Sequence, residues 1–494
     1  MSSDTNTLWQ PLTARDRWVL AGLVVVLAAT AIPHNSPGVC GDDAGELQYV
    51  SSAGGMMHPP GYAALVMLGR LVTLLPVFEP AYRVTLGTTA AAIAAISLMV
   101  LLLARLGLSI WIAAFLGLLL TWHKRVWQNL VTPEVYAPAW AMLAVSVYYA
   151  ARFAHSRARR DLLVSAFVYG LLIASRTAAV VFLPGLLLAW WAGARDVAAR
   201  RWKNALMAGA ALSVGVAACV AYLWCVDRSG APGNYIDSYN VENAELPSAD
   251  AGVAAKCQRL IWLLSGAEFR DNLRPSRRAL RIQVRRLNYE LTDSNTVLLG
   301  PLSLLALAGS LSLWKRQRAV FFAAWGAVLG GVLFGLVYHI CDQALDVLPI
   351  LCGATLLCGA AIAAALRANH GVQRWFAVPA LLAATCSLAS IPARRDSAAQ
   401  IDATEFASIL DMRSLPPRSV LFAGWESATP MLYEQFRTGR SDITVFSAHT
   451  SNWKRLVESY LDRPVYYERA NVAPPGWTCV PYRNVWHLVR EPQE

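Results

Sequence analysis

The residues best suited to chemistry lie near the N-terminus, in the run Gly-Asp-Asp-Ala-Gly-Glu-Leu from Gly41 to Leu47. Asp42, Asp43 and Glu46 are the carboxylates of this run. His58-Pro-Pro-Gly-Tyr62 follows and adds an imidazole and a phenol. A second group holds His123, Lys124, Arg125, Trp127, Gln128 and Asn129, then Thr132-Pro-Glu-Val-Tyr136 with Glu134 and Tyr136. Ser175-Arg176-Thr177 contributes a cation between apolar blocks, and Tyr338 to Asp346 contributes His339, Asp342 and Asp346. Carboxylates and cations gathered on one surface suit acid/base work on an anionic substrate. Each residue taken singly also has a plainer role. Asp42 and Asp43 would cap a helix starting near Ala44. Glu134 would sit in the first turn of a helix beginning at Pro133. Arg176 would snorkel to headgroups, and His339 would be a satisfied interface histidine.

The elements that position these residues are membrane helices. The chain has 494 residues, 56% of them hydrophobic and 15% charged, whereas soluble domains carry about 25% charged residues. Apolar blocks fall at 17–33, 60–76, 81–104, 108–121, 134–152, 161–175, 177–193, 204–225, 296–313, 319–339, 345–366 and 374–391. Several have the length of a spanning helix. The net charge of +11 comes largely from short basic clusters between blocks, the pattern of topology determinants and not of a nucleic-acid partner. The run from Trp18 to Ile32, preceded by Arg15-Asp-Arg17, reads as an uncleaved first helix. The nine cysteines show no CxxC and no zinc spacing. Cys219, Cys352, Cys358 and Cys386 read as small core residues, and a disulfide among Cys40, Cys257, Cys341 and Cys479 stays open.

Charge sets the sidedness. The basic loops Arg152 to Arg160, Arg195 to Lys203, Trp314 to Arg318 and Arg367 to Arg374 should be cytoplasmic. They agree with one another and with a cytoplasmic N-terminus if block 60–76 does not span. That block starts with Pro59-Pro60 and contains Arg70, so it is expected as a re-entrant or interfacial helix inside a first outer loop, 34–80. About eleven spans then remain, and every candidate site residue falls on the extracytoplasmic face. The loop 226–295 lies on that side as well. Its seven arginines from Arg270 to Arg286 suit an amphipathic helix meeting anionic membrane lipids.

Residues 393–494 are expected to form a small extracytoplasmic α/β domain after a transmembrane domain, 1–392. Ser419 to Ala423, Ile443 to Ser447, Pro464 to Glu468 and Val485 to Arg490 read as strands. Thr429 to Arg437 and Asn452 to Leu461 read as helices. No Gly-rich phosphate loop appears there, which leaves acceptor docking or site covering as its role.

In this order, Asp43-Ala-Gly-Glu46-Leu, His58-Pro-Pro-Gly-Tyr62 and Glu134-Val-Tyr-Ala137 resemble a bacterial membrane family of unknown function. Its eukaryotic relative is a protein O-mannosyltransferase acting on plexin and receptor ectodomains, and both resemble the GT-C superfamily of membrane glycosyltransferases. Tyr338 to Pro349, Leu415 to Phe422 and Gly439 to Val445 extend the likeness over most of the chain. The resemblance implies an all-α polytopic GT-C-like fold of the bacterial inner membrane and a lipid-phosphate-linked sugar donor. The acceptor would be an extracytoplasmic protein, glycan or lipid. It implies Asp43 and Glu46 as the catalytic pair, with Asp43 as general base for an inverting transfer. Glu46 or Glu134 would position hydroxyls, and Lys124, Arg125, Arg176 or His339 would meet the phosphate. His58, Tyr62, Tyr136 and Asp342 complete the substrate-binding set. No cofactor is certain and a divalent metal stays open. Two departures bear on donor handling: Ser175-Arg176-Thr177 replaces His-rich residues, and Gly424-Trp425-Glu426 stands where the family often has Gly-Asp. The competing expectation is a transporter or flippase, which would place ionisable groups near the midplane and often show inverted repeats. No repeat is visible here. A topology reporter fused after residue 78 should read extracytoplasmic; a cytoplasmic signal would overturn the re-entrant assignment of 60–76.

Overall fold

A computed structural model of the chain describes residues 9–194, 198–273, 277–292, 299–338, 344–367, 412–447, 450–469 and 473–491. The apolar block 374–391, His339 and Asp342 lie outside the described residues. The N-terminal half runs α1 (Ala14–Ala31), α2 (Asp42–Ala53), β1 (Gly55–Met56), α3 (Ala63–Thr73), α4 (Pro80–Arg105), α5 (Ile110–Leu120), α6 (Lys124–Val131), α7 (Tyr136–Ser156), α8 (Arg159–Ser175) and α9 (Leu183–Gly193). Next come α10 (Ala198–Ser229), β2 (Gly233–Asn234), α11 (Tyr235–Asn243), α12 (Val253–Leu264), α13 (Arg277–Thr292), α14 (Leu299–Arg316), α15 (Arg318–Val337) and α16 (Ala344–Leu366). The C-terminal part holds β3 (Val420–Phe422), α17 (Trp425–Thr438), β4 (Thr444–Phe446), α18 (Thr450–Val457), β5 (Val465–Tyr467), β6 (Trp477–Tyr482) and β7 (Val485–Arg490).

Local chemistry sets these boundaries. Thr13 and Asp16 form a reciprocal capping box at the start of α1. Glu79 caps α4 just ahead of Pro80 at its first position. Among the described residues, five helices are long and apolar enough to cross a membrane: Ala14–His34, Pro80–Arg105, Arg201–Ser229, Arg318–Val337 and Val347–Leu366. The α6–α7 pair joins them only as a span bent by 106°. Other apolar blocks form shorter helices. Block 108–121 gives the 11-residue α5, and block 177–193 splits into a 3-10 turn, Thr177–Phe182, and α9. A length-and-composition criterion therefore supports fewer spans than counting apolar blocks. Residues 60–76 form the 11-residue α3, entered through the left-handed Tyr62 (φ 46°). Glu134 lies between α6 and α7, because α7 begins at Tyr136 and not at Pro133.

Small residues let the helices meet closely. A Cβ on Gly185 of α9 would lie 2.4 Å from the Gly326 Cα of α15, and one on Gly309 of α14 would lie 1.8 Å from the Leu357 carbonyl oxygen of α16. Such contacts are how apolar helices gain packing without a hydrophobic difference from lipid.

Outside the helix bundle, β1 pairs in parallel with β2 through Gly55↔Gly233, tying the first outer loop to the long one. Arg259 of α12 is 1% exposed and binds Asp227 at 2.7 Å and also Asp237. That buried pair fixes the path from α10 into α11. Residues 412–491 contain a five-stranded mixed sheet in the order β4-β3-β5-β7-β6, with β4, β3 and β5 parallel and β7 antiparallel to β5 and β6. Its helix α17 lies on α2 and α4: Thr429 Oγ1 donates to the Asp42 carbonyl at 3.0 Å, and the Ala81 N–H donates to the Tyr433 hydroxyl at 3.2 Å. Replacing Gly185 by valine should cost about 1–3 kcal/mol through overpacking, read as a lower Tm of the solubilised protein. An unchanged Tm would refute the close α9–α15 crossing.

Candidate active site

Helix α2 begins at Gly41 and ends at Gly54, whose φ of 76° lets the chain leave the helix sharply. Gln48 locks its base. The Gln48 side chain accepts from Cys40 N–H at 2.7 Å and donates to the Ala81 carbonyl and the Thr85 hydroxyl, both at 3.1 Å. With α2 fixed, Asp43 and Glu46 share a face and His58 meets them. Glu46 accepts the His58 backbone N–H at 2.8 Å and approaches the ring Nδ1 at 2.5 Å. The ring Nε2 lies 3.7 Å from Asp43 Oδ2. Glu46 and His58 are buried, while Asp43 keeps 28% of its side chain exposed.

Electrostatics follow from that geometry. Burial works against the His58 imidazolium, but Asp43, Glu46 and Glu268 outweigh it and hold the ring up to about 10. Burial also pushes Glu46 up, opposed by His58. Both shifts say that the 2.5 Å pair keeps one proton at neutral pH, and the three surrounding carboxylates favour its residence on the ring. Ligand atoms of Asp43, Glu46 and His58 lie within 4.8 Å of one another. A divalent cation bound by these three groups would have to displace the ring proton.

Around His58 stand four aromatic rings, all edge-on: Tyr62 at 5.2 Å, Phe269 at 5.8 Å, Trp425 at 5.9 Å and Tyr235 at 6.1 Å. Tyr235 donates to Glu268 at 3.0 Å. Trp425, at the start of α17, donates its indole N–H to Asp43 Oδ1 at 3.1 Å. This bond leaves Oδ2 facing the His58 side.

A cavity of about 410 Å³ opens next to Asp43 and His58, walled by Tyr62, Tyr136, Phe334 and Arg176. Arg176 is 4% exposed, and its guanidinium sits 4.3 Å over the Tyr136 ring. Its Nε and Nη1 have no hydrogen-bond partner among the described residues. A buried guanidinium with unspent donors is costly unless an anion completes it.

The structure thus brings together Asp43, Glu46, His58, Tyr62, Tyr136 and Arg176. Arg125 is engaged elsewhere, gripping Glu290 of α13 through two bonds of 2.6 and 2.7 Å. Lys124 is exposed at the start of α6, and Glu134 is half-buried in the α6–α7 turn. Neither lines this cavity. Sequence reading missed Tyr235, Glu268, Phe269 and Trp425, which come from the long loop and the C-terminal part. Only Trp425 left a signal, as the residue at a departure from the family pattern.

Residues 43–199 match the family model described as "Protein O-mannosyl-transferase TMEM260 N-terminal domain". The matched window begins at Asp43 and takes in Glu46, His58, Tyr62, Glu134 and Tyr136, residues on which the motif resemblance rested, together with Arg176, which stands at a departure from it. No curated protein sequence matches the chain. Among solved structures, ArnT from Cupriavidus metallidurans bound to undecaprenyl phosphate is similar at TM-score 0.61 and 14% identity, covering 97% of this chain and 100% of that one. This shows a shared membrane fold. The S. cerevisiae protein O-mannosyltransferase Pmt1-Pmt2 complex bound to the sugar donor matches at TM-score 0.37 and 17% identity, over 47% of this chain and 36% of that one. None of these matches is to a transporter.

His58 rises on folding from its ordinary value near 6.5 to about 10. The stability it contributes is therefore full below about pH 6.5 and lost as pH rises through about 10. Thermal unfolding followed over that window should show a falling Tm in the wild type and a flatter profile in His58→Gln. Parallel profiles would refute the shared proton.

Proposed function

We propose that this chain is an inverting GT-C-type glycosyltransferase of the bacterial inner membrane. It would move a sugar of the mannosyl type from a polyprenyl-phosphate-linked donor to an acceptor hydroxyl on the extracytoplasmic face. The acceptor belongs to an extracytoplasmic protein, glycan or lipid. With the reading go eleven spans, a cytoplasmic N-terminus and an extracytoplasmic C-terminal domain. The observation that carries it is Arg176: a buried cation with unspent donors faces the same cavity as Asp43. A lipid donor lies in the bilayer and presents its phosphate at the interface, where such a cation would meet it. The undecaprenyl phosphate named with ArnT and the mannosyl transfer named for the matching family support that donor class.

The reaction follows from the positions of these groups. The donor phosphate rests against Arg176, with its polyprenyl chain along the apolar wall that includes Phe334 and Leu333. Asp43 Oδ2 takes the proton of the acceptor hydroxyl as that oxygen bonds to the anomeric carbon from the face opposite the phosphate. The bond between the anomeric carbon and the phosphate oxygen breaks, and polyprenyl phosphate leaves with its negative charge on the guanidinium. The Trp425 bond to Oδ1 holds the carboxylate in line. The His58 imidazolium keeps Asp43 and Glu46 together without their mutual repulsion.

Asp43→Asn should abolish transfer from a radiolabelled polyprenyl-phosphate sugar by purified protein while expression stays normal. Arg176→Met should lose about 10²–10³-fold in rate, with Arg176→Lys between it and the wild type. Wild-type transfer by Asp43→Asn would remove Asp43 as the base.

A further inference from the structure

Two cavities abut the Asp43–Glu46–His58 cluster, the first through Asp43 and His58 and the second through Glu46. The first is the Arg176 cavity just described. The second, of about 390 Å³, is bounded by α2, α11 and the edge strand β4. The two differ in charge. Among the described residues, the second is lined by the carboxylates of Glu46, Asp237 and Glu242 and by no Lys, Arg or His. Arg259, which pairs with Asp237, is buried behind the wall and is not part of it. An acceptor bearing phosphate or carboxylate would be repelled there. Hydroxyls of Ser238 and Tyr460 and the rings of Tyr235 and Trp425 complete the lining. Burial pushes Glu242 up to about 7, so its carboxyl both accepts from and donates to hydroxyl groups near neutrality.

We infer that this second cavity is the acceptor subsite and that it takes a neutral, polyhydroxylated acceptor, a sugar residue of a glycan. The inference rests on the glycosyl-transfer reading above. Carboxylates and side-chain hydroxyls meet the sugar's hydroxyls, and aromatic rings cover its C–H faces. The cavity abuts the base through two of its own lining residues: Trp425 bonds Asp43, and Glu46 meets His58 beside it.

A polypeptide acceptor is the rival, because an edge strand borders the cavity. β4 offers it little. Thr444 N–H is spent on the Ser419 carbonyl at 2.9 Å, and the Phe446 carbonyl accepts from Ala423 at 3.0 Å, so both face β3. Ser447 N–H is spent on Glu242 at 3.1 Å. That leaves the single residue Val445 facing outward, too short a ladder for strand addition, whose affinity comes from successive main-chain bonds.

The experiment uses the full-length protein in lipid nanodiscs, a labelled polyprenyl-phosphate sugar, and cell envelopes from a strain lacking the protein. Linkage analysis of the product should place the label on a hydroxyl of another, uncharged sugar. Glu242→Gln, which still accepts from Ser447, and Ser238→Ala should each raise the KM for acceptor at least about ten-fold with kcat within about two-fold, as expected for lost uniform binding. Label released by β-elimination as a lone sugar from Ser or Thr overturns the inference in favour of protein. Label extracted with lipid, or linked to an acidic sugar, overturns it too, as does an unchanged acceptor KM in both variants. Those results leave glycosyl transfer standing, whereas wild-type protein that never consumes the donor overturns both.

Discussion

Two carboxylates and one imidazole packed together out of water are stable only if a proton stays among them. Asp43 and Glu46 sit on one turn of one helix, and burying both as anions without a cation would cost several kcal/mol. The imidazole of His58, 2.5 Å from Glu46 and 3.7 Å from Asp43, resolves the conflict. Everything else around the site serves that arrangement. Gln48 fixes the helix, four aromatic rings exclude water, and Glu268 adds a further negative charge that keeps the proton in place. The result is a partly exposed Asp43 carboxylate held beside a buried imidazole.

The two cavities that meet at this cluster have opposite character. The one beside Arg176 is mostly apolar, with a cation whose Nε and Nη1 are without partners among the described residues. The one towards the C-terminal sheet is anionic and hydroxyl-lined. A transfer reaction between a lipid phosphate and a hydroxylated acceptor needs that division, because each substrate is attracted to one side and rejected by the other. The second cavity meets the cluster through Glu46 and Trp425, which contact His58 and Asp43 respectively.

The sequence made the first half of this site readable. Asp43, Glu46, His58 and Tyr62 lie within one short stretch, and helical spacing plus short-range chemistry bring them together. Arg176 was readable because a charge between apolar blocks needs a reason. Tyr235, Glu268 and Trp425 were not, since nothing local says that a loop tyrosine or a tail tryptophan packs on a histidine hundreds of positions away. Arg125 misled for the converse reason: its charge is answered by Glu290, a partner no nearby spacing reveals. Helix lengths were similarly hidden. Hydropathy finds apolar blocks, but proline and short turns decide how long each helix runs, as in the broken Thr177–Gly193 segment.

The indole of Trp425 and the carboxylate of Asp43 are 382 residues apart in the chain. A contact of that separation is the last to form as a polypeptide emerges. Asp43 therefore lacks its indole partner throughout synthesis and gains it only when the C-terminal sheet and α17 have folded and settled onto α2. A truncated or half-folded product would hold both carboxylates and the imidazole yet lack that finishing bond.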